Sequence, residues 1–167
     1  MGLHREKLVM SMFIAIIGNR NSGKSTIIKS LTGCPTGQFR GSITDRATSR
    51  IVEIIGSSPQ EKALSLTELQ KILRRGLKPN CNGVICALQP TNPSKRLSLE
   101  DVMQTALAFG YQVRPFVLDP EHGGATGNLS KICNRFPTGV LPAVQLDARR
   151  FAHLNASIIH SYTSIVA

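Results

Sequence analysis

The run Gly18-Asn19-Arg20-Asn21-Ser22-Gly23-Lys24-Ser25 constrains this chain more than any other feature. It lies between Met12–Ile17, a continuous apolar stretch that reads as a buried strand, and residues 24–31, where Ile27, Ile28 and Leu31 recur at helical spacing before Gly33. A chain that passes from a strand through Gly-x-x-x-x-Gly-Lys-Ser into a helix must wrap its backbone tightly, with glycine where a Cβ would collide. Strand, glycine-bounded turn and helix together predict the first unit of an α/β domain.

Such a turn presents inward-pointing N–H groups and a helix N-terminus to an anion, and this is the chemistry of a phosphate cradle. The expected binding residues are Gly18, Asn19, Arg20, Asn21, Ser22, Gly23, Lys24, Ser25 and Thr26. Lys24 supplies a point charge for the β and γ phosphates of a nucleoside triphosphate, and Ser25 a hydroxyl for magnesium.

The rest of the chain alternates strands and helices. Ile51 to Ile55 reads as a strand, and Leu66, Leu69, Ile72, Leu73 and Leu77 as a helix capped by Ser65 and Glu68. Val84 to Leu88 is the next strand. Leu99, Val102, Met103, Ala106 and Leu107 line a helix that opens at Ser98-x-x-Asp101 and closes at Gly110. A strand over 112–118, a short helix near 129–135, a strand over 143–146 and a final helix from about Phe151 complete the series; its expected apolar stripe is Phe151, Leu154, Ile158, Tyr162 and Ile165. Pro35 to Ser49 has no periodicity and reads as a loop. This order predicts one three-layer α/β/α domain over residues 1–167 with a mainly parallel sheet. Pro115 and Pro142 conflict with strand interiors unless they mark starts or edges.

Composition narrows the setting. At 167 residues, 41% of them hydrophobic and 18% charged, the chain suits one packed core. Cys34, Cys81, Cys86 and Cys133 form no Cys-x-x-Cys pair, which points to reduced thiols, a cytoplasmic location and no zinc site. The apolar run from Leu8 follows Arg5 and Lys7 but lacks a cleavage site, and Glu6 stands where myristoylation after Gly2 needs Ser or Thr. No apolar run reaches the roughly 20 residues of a membrane span. The net charge of +10 admits an acidic partner. Much of it, however, falls near the cradle (Arg20, Lys24, Lys29, Arg40, Arg46, Arg50) or on one helix (Lys71, Arg74, Arg75, Lys78), with Lys95 and Arg96 in a loop. Two Tyr, six Phe and no Trp offer little stacking surface, so nucleic acid is not the favoured partner.

The element order and the cradle together resemble the Ras-like P-loop GTPases of the translation-factor class over essentially the whole chain. That resemblance implies a threonine after the first helix in the magnesium shell, and Thr44 and Thr48 are the candidates. The family's Asp-x-x-Gly, with a catalytic Gln after it in many members, corresponds to Gly56-Ser57-Ser58-Pro59-Gln60: the Asp and Gly are replaced, and Gln60 keeps the place of a residue that orients an attacking water. Asn-Lys-x-Asp, which reads guanine, corresponds to Asp119-Pro120-Glu121-His122 without a match, so GTP and ATP stay open. Asp119 is alternatively a magnesium-positioning acid of an ATPase-type site or a turn residue. The Ser-Ala motif corresponds to Gln145-Leu146-Asp147-Ala148. The region between the first helix and Gly56, and residues 92–97, are similar to the small P-loop proteins associated with ethanolamine and propanediol utilisation in bacterial microcompartments. The short region after the first helix leaves no room for the family's edge strand.

Three functions follow as expectations. The first is a GTPase-like switch or assembly factor, working with a protein partner and hydrolysing GTP or ATP slowly, with Lys24 and Gln60 as the catalytic residues. The second is a small-molecule kinase with Arg149 and Arg150 in place of a lid; the third is a scaffold with a vestigial pocket.

Overall fold

Met12–Ile17 forms strand β1, buried from Phe13 onward. Its side chains are apolar on both faces, so it is stable only with a layer of helices on each side. The computed structural model describes residues 10–45, 48–91 and 95–163. Gly2, Arg5, Glu6, Lys7, Leu8, Arg46, Asn92, Pro93, Ser94 and Ile165, used above, lie outside these residues.

The elements after β1 are α1 (Lys24–Thr32), β2 (Arg40–Thr44), β3 (Ile51–Ile55), α2 (Leu66–Gly76) and β4 (Cys81–Leu88). They are followed by α3 (Leu99–Ala108), β5 (Gln112–Leu118), α4 (Leu129–Cys133), β6 (Val144–Leu146) and α5 (Ala152–Tyr162). The sheet order is β2-β3-β4-β1-β5-β6, parallel except for the β2–β3 pair. Phe13, Ala15 and Ile17 pack with Leu69, Leu73, Leu99, Val102 and Met103 of α2 and α3. Ile14 and Ile16 pack with Ile27, Ile28, Ala156 and Ile159 of α1 and α5. The domain is therefore three-layered, as expected.

Both predicted capping boxes form: Ser65 with Glu68 at α2, and Ser98 with Asp101 at α3. Gly33 ends α1 in the left-handed conformation. Pro115 sits inside β5, yet the ladder to β6 begins only at Phe116. Val113, which addresses the same edge as Pro115, receives the Leu141 N–H from outside β6. The missing donor thus falls before the neighbouring strand starts, and Pro142 precedes β6.

Two expectations are corrected. The segment from Pro35 to Ser49 contains an edge strand after all, because β2 pairs antiparallel with β3 from Arg40↔Ile55 to Thr44↔Ile51. Edge strands carry polar residues such as Arg40, Ser42 and Thr44, which erases the apolar alternation. The stripe assigned to α5 is also misplaced. Phe151, Leu154 and Tyr162 are exposed, and Asn155, Ala156 and Ile159 are buried, since the small Ala152 and Ala156 let the helix approach α1 closely. Leu66 and Leu77, at the ends of α2, are likewise exposed.

Candidate functional site

The cradle begins where β1 leaves the sheet. Gly18 N–H donates to Leu88 O of β4 at 3.1 Å, and a Cβ at Gly18 would stand 2.4 Å from Ser22 Oγ, so the turn closes only around glycine. Asn21 adopts φ 60, a left-handed conformation that asparagine tolerates. Gly23 caps α1 without a side-chain oxygen, and the first turn holds no acidic residue. The first-turn N–H groups and the positive end of the helix dipole are therefore left for a ligand.

Lys24 is 4% exposed, and Nζ donates to Asn19 O at 2.6 Å and Ser22 Oγ at 3.4 Å. Burial lowers its pKa to about 8, opposed by the more distant charges of Glu61 and Glu121. Among the described residues no carboxylate forms an ion pair with it. A buried ammonium satisfied only by neutral oxygens is a strong attractor for an anion.

The cradle opens into a cavity of about 1070 Å³. Residues 20–27 line its floor. On the β5 and β6 side are His122 and Ala148, Arg149, Arg150, Phe151 and Ala152. On the β3 and β4 side are Gln38, Ser57, Gln60, Glu61, Lys62, Gln89 and Arg96. Arg20, Lys24, Lys62, Arg96, Arg149 and Arg150 face Glu61 as the one carboxylate of the lining. Sequence reasoning missed Gln38, Ser57, Glu61, Lys62, Gln89, Arg96, His122 and Phe151 as lining residues. Most follow strand C-termini, which is where an α/β sheet gathers its ligand residues.

The predicted residues divide clearly. Gly18 to Gly23 form the turn between β1 and α1, Lys24, Ser25 and Thr26 open the helix, and of the nine all but Gly18 and Asn19 line the cavity. Gly37, from the loop before β2, approaches so closely that a Cβ there would stand 2.6 Å from Ser25 Cβ. Thr44 and Thr48 are not brought to Ser25. β2 runs away from the cradle, so Thr44 pairs with Ile51 at the far end of β3, and Thr48 Oγ1 donates to Asp45 Oδ2 at 2.6 Å. Four residues of strand put Thr44 roughly 13 Å beyond Arg40 along the sheet. For magnesium the cavity offers the Ser25 hydroxyl and the Glu61 carboxylate. An ion held by either would take most of its ligands from phosphates and water. No group of three His, Cys, Asp or Glu residues suited to hold a metal by itself occurs among the described residues.

Gln60 lines the cavity but is held at both ends of its amide: Nε2 donates to Leu97 O at 2.7 Å, and Oε1 accepts from Gln89 N at 2.9 Å. Asp119 acts as a turn residue and does not line the cavity. Its two oxygens accept the N–H groups of Gly127 at 3.1 Å and Leu129 at 3.0 Å, organising the entry to α4. Glu121 ties that loop to the cradle by accepting Asn19 N–H at 2.9 Å, and His122 N–H donates to Ser22 O at 3.0 Å. Arg40, expected near the nucleotide, instead clamps the loop after β3 by donating to Ser57 O at 2.9 Å and Ala63 O at 3.1 Å, and to Lys62 O. Arg50 donates to Pro79 O at 3.3 Å, beyond the opposite end of the sheet. The chain matches no protein-family model and no curated protein sequence.

Proposed function

We propose that the chain binds a magnesium nucleoside triphosphate at Gly18–Ser25, as a P-loop nucleotide-binding protein with slow or partner-dependent hydrolysis and a cytoplasmic setting. The observation that carries this reading is Lys24, an ammonium buried to 4% exposure with no ion pair among the described residues, at the floor of a cationic cavity beside an uncapped helix N-terminus. A polyphosphate supplies the charge that this arrangement lacks. Slow turnover follows from Gln60 being held by Gln89 and Leu97, and from Gly56 standing where the family resemblance implies an aspartate.

Titration of the chain with fluorescent GTP and ATP analogues tests the reading. Lys24→Ala is expected to weaken binding at least tenfold, the loss of one charge-assisted hydrogen bond, without lowering the melting temperature. Unchanged affinity would overturn it. A second reading, phosphoryl transfer to a small acceptor, is favoured by the presence of Arg149 and Arg150 in the cavity lining. Phosphate appearing on an acceptor, in place of free phosphate, distinguishes it.

A further inference from the structure

Three buried side-chain atoms among the described residues lack a hydrogen-bond partner: Gln89 Nε2, Arg114 Nε and Asn155 Oδ1. Only Gln89 belongs to the cavity lining. It is 5% exposed and follows β4 directly. Its surroundings fix it on three sides. Leu88 O, one residue earlier, accepts the Gly18 N–H that opens the cradle; Gln89 N donates to Gln60 Oε1 at 2.9 Å; and Gln89 Oε1 accepts from Thr91 Oγ1 at 3.1 Å. With the oxygen engaged by Thr91, the amide donors are the part left without a partner. A buried amide donor is costly to leave unpaired, so its retention on a cavity wall points to a ligand acceptor.

The sheet order indicates which part of the ligand it meets. β4 lies next to β1 on the side of β3, while β5 and β6 lie on the other side. The β5 and β6 side of the cavity carries Phe151 and His122, rings on which a nucleobase stacks. The β4 side carries the amides of Gln38, Gln60 and Gln89, the Ser57 hydroxyl, the cations Lys62 and Arg96 and the Glu61 carboxylate, with no aromatic ring among the described residues. A nucleotide oriented by these chemistries lays its base toward Phe151, crosses the cradle at Lys24 and ends its phosphate chain at β4. Resting on the nucleotide-binding reading above, we propose that Gln89 Nε2 donates to an oxygen of the terminal phosphate, so that this residue distinguishes a bound triphosphate from a diphosphate. Because Gln89 N also holds Gln60, the same residue joins the ligand to the loop after β3, which Arg40 clamps.

The test compares triphosphate and diphosphate forms of both guanosine and adenosine, titrated against the wild-type chain, Gln89→Met and Lys24→Ala. Methionine keeps the length and burial of the side chain and removes its donors, and the backbone bond to Gln60 remains. Gln89→Met is expected to lower triphosphate affinity about tenfold and to leave diphosphate affinity within about twofold. Equal losses for both forms, or no loss for either, would overturn the assignment. If Gln89→Met does not fold, Gln89→Glu must show the same selective loss, because a carboxylate retains the acceptor for Thr91 and repels the terminal phosphate. Wild-type chain that binds neither triphosphate would refute the nucleotide reading itself, and this assignment with it. Wild-type binding that depends on Lys24, with no triphosphate-selective effect at Gln89, refutes the assignment alone.

Discussion

The buried ammonium of Lys24 has a pH signature that follows from its surroundings. In the free protein burial holds its pKa at about 8, below the ordinary lysine value of 10.5. A bound polyphosphate favours the charged form and raises the pKa again, so binding above pH 8 takes up a proton. Triphosphate affinity is therefore expected to be flat up to about pH 8 and to fall by up to about tenfold per pH unit above it, until the pKa of the bound state is reached. Titrations between pH 7 and 10 check this, with Lys24→Arg as the control whose charge does not titrate. The sign for stability is separate. With its pKa depressed, Lys24 penalises folding while it is charged, and that penalty shrinks as pH rises from about 8 toward 10.5. A profile with no break near pH 8 in the wild type would contradict the burial of Lys24. Other strongly buried titrating groups serve the core instead: Tyr111 Oη donates to Leu73 O at 2.6 Å, and burial pushes its pKa, like that of the Cys86 thiol, well up.

At the scale of elements, the helices that the sequence announces by local chemistry are the ones the structure reproduces. Ser65 and Glu68 exchange hydrogen bonds of 3.1 and 2.8 Å, and Ser98 and Asp101 exchange bonds of 3.0 and 2.9 Å. Ser65→Ala is expected to cost about 1 kcal/mol and to lower the melting temperature by roughly 2–4 °C, with nucleotide affinity unchanged. Thermal unfolding followed by circular dichroism measures it. β1 and the 84–88 part of β4 were legible because their apolar runs are buried on both faces, β3 and β5 because apolar residues outnumber Glu53, Gln112 and Arg114, and the turn at 18–23 because its glycine spacing is a local steric requirement. β2 was not, since an edge strand is defined by its partner β3 and not by its own pattern. The face of α5 was misread for a related reason: the helix carries apolar residues all round, and only the small Ala152 and Ala156 decide which side approaches α1. The positions of Thr44 and Thr48 could not be read either, because the direction of β2, set by its pairing, takes them away from Ser25.

For the molecule as a whole, the net charge of +10 divides into committed and available parts. On α2, Arg75 pairs with the buried Glu53 at 3.2 Å, and Arg74 lies over the Phe109 ring at 5.5 Å. Arg135 pairs with Glu100 at 2.5 Å, joining α3 to the end of α4. These cations hold elements together, which weakens the case for a nucleic-acid surface on α2. The cations left around the cavity form a local field that suits a compact polyanion, although Arg149 shares its charge with Asp147 at 3.0 Å. No helix among the described residues is long and apolar enough to cross a membrane. The proposed binding is of one ligand class at one site, and magnesium dependence would separate it from simple charge attraction. The decisive measurement is displacement of a fluorescent triphosphate by unlabelled GTP, ATP and inorganic sulfate, with and without magnesium. One saturable site is expected, displaced by a nucleoside triphosphate far more readily than by sulfate, and tighter in the presence of magnesium. Displacement by sulfate and nucleotide alike, indifferent to magnesium, would contradict it.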